Sequence, residues 1–82
     1  MKLMIVEENA AMRRLMRSLV EGMAFSLSEC DDGAQAVAAC AAAQPDWVLL
    51  DVNLAATDAI AAAKQISAAC PRARIVVVTD DD

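Results

Sequence analysis

Four short apolar runs, separated by three stretches long enough for helices, constrain this 82-residue chain more than any other feature. KLMIV at 2–6 fits a buried strand, WVLL at 47–50 is continuous enough to predict a strand covered on both faces, and RIVVVT at 74–79 is a second fully apolar strand. AFSLSEC at 24–30 instead alternates Phe25 and Leu27 with Ser26 and Ser28, the pattern of an edge strand or one with a wet face. Asn9 offers an N-cap, and Met12, Leu15, Met16, Leu19 and Met23 follow at three- and four-residue spacing, predicting one inward helical face that ends near Gly22. Asp31, Asp32 and Gly33 read as a turn and cap before a second helix, Ala34 to Ala43, with Val37 and Cys40 or Ala41 inward. Pro45 and Asp46 close it. Thr57 or Asp58 caps a third helix containing Ile60, Ala63, Ile66 and Cys70, and Pro71 stops it.

The resulting order is β-α-β-α-β-α-β. Strands that alternate with helices pair in parallel through right-handed crossovers, with helices on both sheet faces. The expectation is one doubly wound α/β domain spanning residues 1–82, with no repeat or linker.

Charge and cysteine usage narrow the function. A net charge of −5 argues against a nucleic-acid surface, which needs clustered Lys and Arg. Arg13, Arg14 and Arg17 form the one local basic group, and read alone they fit a solvated helix face. Cys30, Cys40 and Cys70 are odd in number, contain no CxxC, and have no histidine to join them in a zinc site. Packing thiols in a reducing cytoplasm are expected. The opening MKLMIVEEN meets carboxylates too early for a signal peptide, and the alanine-rich AVAACAAA is too short to span a bilayer, so no membrane role is expected.

In a sheet of this kind ligands sit beyond the carboxyl ends of the strands. The first strand ends in Glu7 and Glu8, the third in Asp51 and the fourth in Thr79, so polar groups gather on one rim. Singly, each has an ordinary explanation: acids favour a helix N-terminus, and threonine is at home in strands. Together they suggest a site. Three carboxylates at one rim raise one another's pKa values and invite a hard cation, for which Mg2+ is the best fit. The backbone carbonyl of Asn53, in the loop after Asp51, is a further candidate ligand. Asp51 is then placed to act as a nucleophile toward a phosphoryl group, with the Thr79 hydroxyl donating to one of its oxygens.

IVEEN, the arginine-bearing helix, ECDDGAQAV, PDWVLLDVNL and RIVVVTDDD together resemble the receiver domain of bacterial two-component response regulators, over the whole chain. The resemblance implies a flavodoxin-like fold with strand order 2-1-3-4. It implies that Asp51 accepts a phosphoryl group from a sensor histidine kinase or phosphotransfer protein, with Glu7, Glu8, Asp51 and the Asn53 carbonyl around Mg2+. Glu8 would be the more direct metal ligand of the acidic pair, Thr79 the switch hydroxyl, and Arg13, Arg14 and Arg17 part of a kinase-docking helix. Any enzymatic activity would be limited to Mg2+-dependent self-phosphorylation from a donor and autodephosphorylation.

The chain departs from the family in three places. Glutamate stands at position 8 where the family usually has aspartate, and LAATDA replaces a loop that usually carries proline and glycines. Receivers also continue through a fourth helix, fifth strand and fifth helix, with a lysine at the end of that strand; Lys64 lies in the third helix and is not given that role. The fourth strand is therefore expected to be an apolar edge, belonging either to a fragment or to a chain that self-associates there.

The alternative from another class is a pseudo-receiver that works without phosphorylation as an interaction or dimerisation module. A nucleotide-binding enzyme is excluded in its usual forms, since Gly22 and Gly33 are the only glycines and neither GxGxxG nor a Walker loop is present. The absence of histidine likewise removes triad hydrolases.

Overall fold

A computed structural model of the chain describes residues 1–23, 26–51 and 59–78. Four strands, β1 (Lys2–Val6), β2 (Ser26–Cys30), β3 (Trp47–Asp51) and β4 (Arg74–Val78), form one sheet in the order β2-β1-β3-β4. Every pairing is parallel, with Leu3 opposite Leu27 and Trp47, and Trp47 opposite Arg74. The helices α1 (Ala10–Val20), α2 (Gly33–Ala43) and α3 (Ala59–Ala69) alternate with the strands, and a 3-10 turn (Glu21–Met23) extends α1. The predicted doubly wound, flavodoxin-like topology is the one observed.

Local chemistry accounts for the element boundaries. The Asn9 side chain accepts from the Met12 N–H at 2.9 Å and Asp32 from the Gln35 N–H at 2.7 Å, each satisfying an orphan donor at a helix start. Gln44 ends α2 in the left-handed region at φ 49°, where glycine is usual. Its side-chain amide compensates by donating to the carbonyls of Ala41 at 2.9 Å and Ala69 at 3.2 Å, which ties the C-termini of α2 and α3 together. Asp46 joins the strand entries: its N–H donates to Lys2 O, its carbonyl accepts from Arg74 N, and its carboxylate accepts from Lys2 N at 2.7 Å. The predicted caps Thr57 and Asp58, and Phe25 of the second strand, lie outside the described residues.

The main core lies between the sheet and the α2–α3 pair. Met4, Val6, Val48 and Leu50 pack there against Ala36, Cys40, Ala59, Ala62, Ile66 and Cys70. The small alanines let both helices approach the sheet closely. On the other face α1 covers Leu3 and Ile5, to which Met16 contributes a buried side chain.

The structure resolves helix faces that the sequence pattern left partly open. Of the α1 residues, only Met16 is fully buried, while Leu15, Leu19 and Met23 are exposed. Periodicity identified the apolar side of that helix but could not tell whether a second helix covers it. In α2, Ala36 and Cys40 are buried in the core, Val37 is half-buried and packs against it as expected, and Ala41 is exposed. In α3, Ala59, Ala62 and Ile66 are buried while Ile60 is exposed and Ala63 half-buried. Alanine-rich helices give little contrast between faces, so a one-residue rotation costs the pattern almost nothing.

The fourth strand is an edge of this sheet, as expected. Its Val76 and Val77 are exposed on opposite faces, and Ile75 and Val77 line an open apolar cavity of about 330 Å³ with Ala59, Ile60, Ala63, Lys64 and Ser67. All three cysteines are free thiols. Cys40 donates to Met4 Sδ at 3.3 Å and Cys70 to the Cys40 carbonyl at 2.8 Å, so these two pack in the core as anticipated.

Candidate functional site

The rim at the carboxyl ends of β1 and β3 holds the one buried acid among the described residues. Glu7 is 2% exposed. Its position follows from the register: Val6 is paired with Leu50, so the next step along both strands brings Glu7 beside Asp51. The Glu7 N–H donates to Cys30 O at 3.0 Å, carrying the β1–β2 ladder one residue past the strand and fixing the backbone under the side chain. Oε1 of Glu7 accepts from the Asn9 N–H at 3.0 Å. Oε2 is buried with no hydrogen-bond partner.

That orphan oxygen defines the electrostatics of the site. Burial pushes the Glu7 carboxyl above its ordinary value, the Asn9 N–H pulls it back, and the close Asp51 carboxylate, with the charge of Glu8, raises it again. Two carboxylates share a hydrogen bond only when one carries a proton. When both are ionised, Glu7 Oε2 lacks a donor and faces a like charge in a site removed from water. A cation between the two groups relieves both problems, and carboxylate oxygen is the ligand that Mg2+ prefers. The donor set therefore fits the metal implied by the sequence.

Of the residues singled out in the sequence, the structure brings Glu7 and Asp51 together. Glu8 sits in the same turn with its side chain exposed, and among the described residues no group of three or more His, Cys, Asp or Glu is gathered as a metal-holding set. Asn53 and Thr79 lie outside the described residues. The arginines divide. Arg13 Nη1 donates to the carbonyls of Glu7 at 2.8 Å and Glu8 at 3.5 Å, and its Nε lies 3.5 Å from Glu29 Oε1. Arg17 also bonds Glu29 and lies 3.7 Å from Glu21, whereas Arg14 is exposed.

The part played by Glu29 was missed in the sequence. It projects from β2 in register with Ile5, on the face under α1, and this placement is visible only once the sheet order is known. A signal did exist on the helix: α1 opens with no acid in its first turn and a cation at its fourth residue, against the preference of the helix dipole.

The comparisons with known proteins agree with the fold. Residues 3–82 match the model of a family described as the response regulator receiver domain. The chain is 34% identical over 65 residues to the transcriptional regulatory protein ResD of Bacillus subtilis, covering 79% of this chain and 27% of that protein. It is 31% identical over 78 residues to the chemotaxis protein CheY of Listeria monocytogenes, covering 94% of this chain and 66% of that one. The chain thus spans about a quarter of the first relative and just under two thirds of the second.

Among solved structures, the signal receiver domain of a modulated diguanylate cyclase from Desulfovibrio desulfuricans superposes with a TM-score of 0.88 at 25% identity, covering 99% of this chain and 66% of that one. The receiver domain of a sensor histidine kinase from Pseudomonas aeruginosa, solved with magnesium in its active site cleft, gives a TM-score of 0.83 at 23% identity, covering 93% of this chain and 64% of that chain. Among the described residues no helix is long and apolar enough to cross a membrane.

Proposed function

The chain belongs to the response regulator receiver domain family, and from that premise we propose that Asp51 is a phosphoacceptor, loaded by a phosphohistidine on a sensor histidine kinase or phosphotransfer protein. The observation that carries this reading is the buried Glu7 carboxylate, with an orphan oxygen beside Asp51 at the tips of neighbouring strands.

Glu7, Glu8, Asp51 and the Asn53 carbonyl would hold Mg2+, which when bound supplies charge neutralisation at the phosphoryl oxygens. A carboxylate oxygen of Asp51 attacks phosphorus as the bond to the donor's imidazole nitrogen breaks; that nitrogen keeps the bonding pair and a proton from solvent satisfies it. The Thr79 hydroxyl donates to a phosphoryl oxygen, and the exposed Arg14, with Leu15 and Leu19, offers a docking surface on α1. A cytoplasmic setting suits both the partners and the free thiols.

Acetyl phosphate with Mg2+ tests the reading. The intact chain gains the mass of one phosphoryl group and Asp51→Asn gains none; no gain in the wild type rejects it.

The β4 edge favours a second reading, association through that strand independent of phosphorylation. Among the described residues β4 is an edge strand, and its Val76 and Val77 expose apolar surface on both faces. Sedimentation with and without Mg2+ separates the two: a metal-indifferent oligomer supports assembly, and a monomer at all concentrations rejects it.

A further inference from the structure

The β1–α1 turn carries both acids, and its carbonyls have left the sheet. Glu7 O belongs to a residue that is 2% exposed, so it needs a donor from within the protein. Arg13 supplies it. One guanidinium nitrogen donates to Glu7 O at 2.8 Å and reaches Glu8 O at 3.5 Å, while Nε faces Glu29 on β2 at 3.5 Å. Glu29 is itself held by Arg17, from the next turn of α1. The same side chain thus links the acidic turn, α1 and β2.

We infer that Arg13 is a positioning residue: its guanidinium clamps the Glu7–Glu8 turn through the backbone carbonyls and so keeps the Glu7 carboxylate seated beside Asp51. Three features support a clamp over an ordinary surface ion pair. The Arg13 side chain is 23% exposed, and its shortest contact is to a buried carbonyl rather than to a carboxylate. It stands at the fourth residue of α1, near the positive end of the helix dipole, where the dipole alone gives a cation no support. Finally, Glu7 Oε1 is seated on the Asn9 N–H two residues on, a contact that survives only while the turn holds its shape. Lysine cannot replace this fork, because one ammonium cannot span the two carbonyls and Glu29 together.

For its metal arm the inference rests on the phosphoacceptor reading, so the test also includes a readout that needs no metal. Amide hydrogen exchange is followed by NMR in the wild type, Arg13→Lys, Arg13→Met and Glu29→Gln, and Mg2+ affinity is measured by calorimetry on the same samples. Loss of a charge-assisted hydrogen bond to a buried carbonyl corresponds to about a tenfold change or more. Arg13→Lys, which keeps the charge, is expected to speed exchange at the Asn9 amide by about that factor, with β1 and β3 amides unchanged, and to weaken Mg2+ binding.

Unchanged exchange at Asn9 in Arg13→Lys overturns the inference. So does an Arg13→Lys that binds Mg2+ like the wild type while Arg13→Met binds it more tightly, since charge alone then explains the residue. If Arg13→Lys loses protection throughout, Glu29→Gln decides: faster exchange confined to the turn supports the clamp, and none or a uniform increase overturns it. A wild type indifferent to Mg2+ rejects the phosphoacceptor reading, and the exchange arm still decides the clamp.

Discussion

Replacing Glu7 by glutamine should make the metal-free chain more stable and less able to use metal. The buried Oε2 has no donor and lies beside another carboxylate. An unsatisfied buried polar atom costs about 1–3 kcal/mol, and more when charged. In Glu7→Gln the side-chain oxygen can keep the Asn9 N–H, and the new amide can donate to Asp51. Stabilisation of about 1–3 kcal/mol at neutral pH follows, and in a domain of this size each kcal/mol raises Tm by about 4–8 °C.

The pH dependence has a definite sign. The Glu7 carboxyl is raised in the folded chain, so the native state binds more protons than the unfolded state between the ordinary carboxylate value and the raised one. Wild-type stability without metal is therefore greatest below that window and declines as pH rises through it. Glu7→Gln lacks this decline. Thermal and urea melts in chelator across pH 4 to 8 measure both effects, and repetition with Mg2+ adds the linkage: the wild type gains stability with metal concentration and the variant gains little. A variant no more stable than wild type in chelator, or one with the same pH slope, would refute the reasoning.

Other outcomes follow from the packing. Ile66→Ala, at a fully buried position, should cost about 2–5 kcal/mol, whereas Leu19→Ala, 73% exposed, should stay within about 0.5 kcal/mol; urea titrations compare them directly. Asn9→Ala removes the α1 cap and should cost about 1 kcal/mol by the same assay. Burial pushes the Cys40 thiol up to about 12, so iodoacetamide under native conditions should label the half-buried Cys30 first and leave Cys40 until the chain opens. Val76→Lys combined with Val77→Lys should abolish any concentration dependence of sedimentation, because both side chains belong to the apolar edge.

Much of this was readable before the fold was seen, for identifiable reasons. Val48 and Leu50 announced a doubly covered strand because a parallel interior allows no polar alternation, and Asp51 stood out because a charge follows that run directly. Ser26 and Ser28 marked β2 as exposed on one side because an edge strand can leave alternate positions wet. The choice between Glu7 and Glu8 was not readable. Which adjacent acid turns inward depends on the pleat at the end of β1 and on register with Asp51, and the residues themselves are identical. The buried side of α3 was hard to read among its alanines. The Arg13–Glu29 contact joins residues far apart in sequence and exists only because β2 lies next to β1.

Mn2+ used as a paramagnetic substitute for Mg2+ tests the cation site most directly. Amide resonances of Glu7, Glu8 and Asp51 should broaden first and together, while those of Lys2 and Trp47, at the opposite ends of the same strands, stay sharp. Broadening that begins instead at Asp31 and Asp32, or that spreads evenly over the acidic surface, would contradict a cation site built on Glu7 and Asp51.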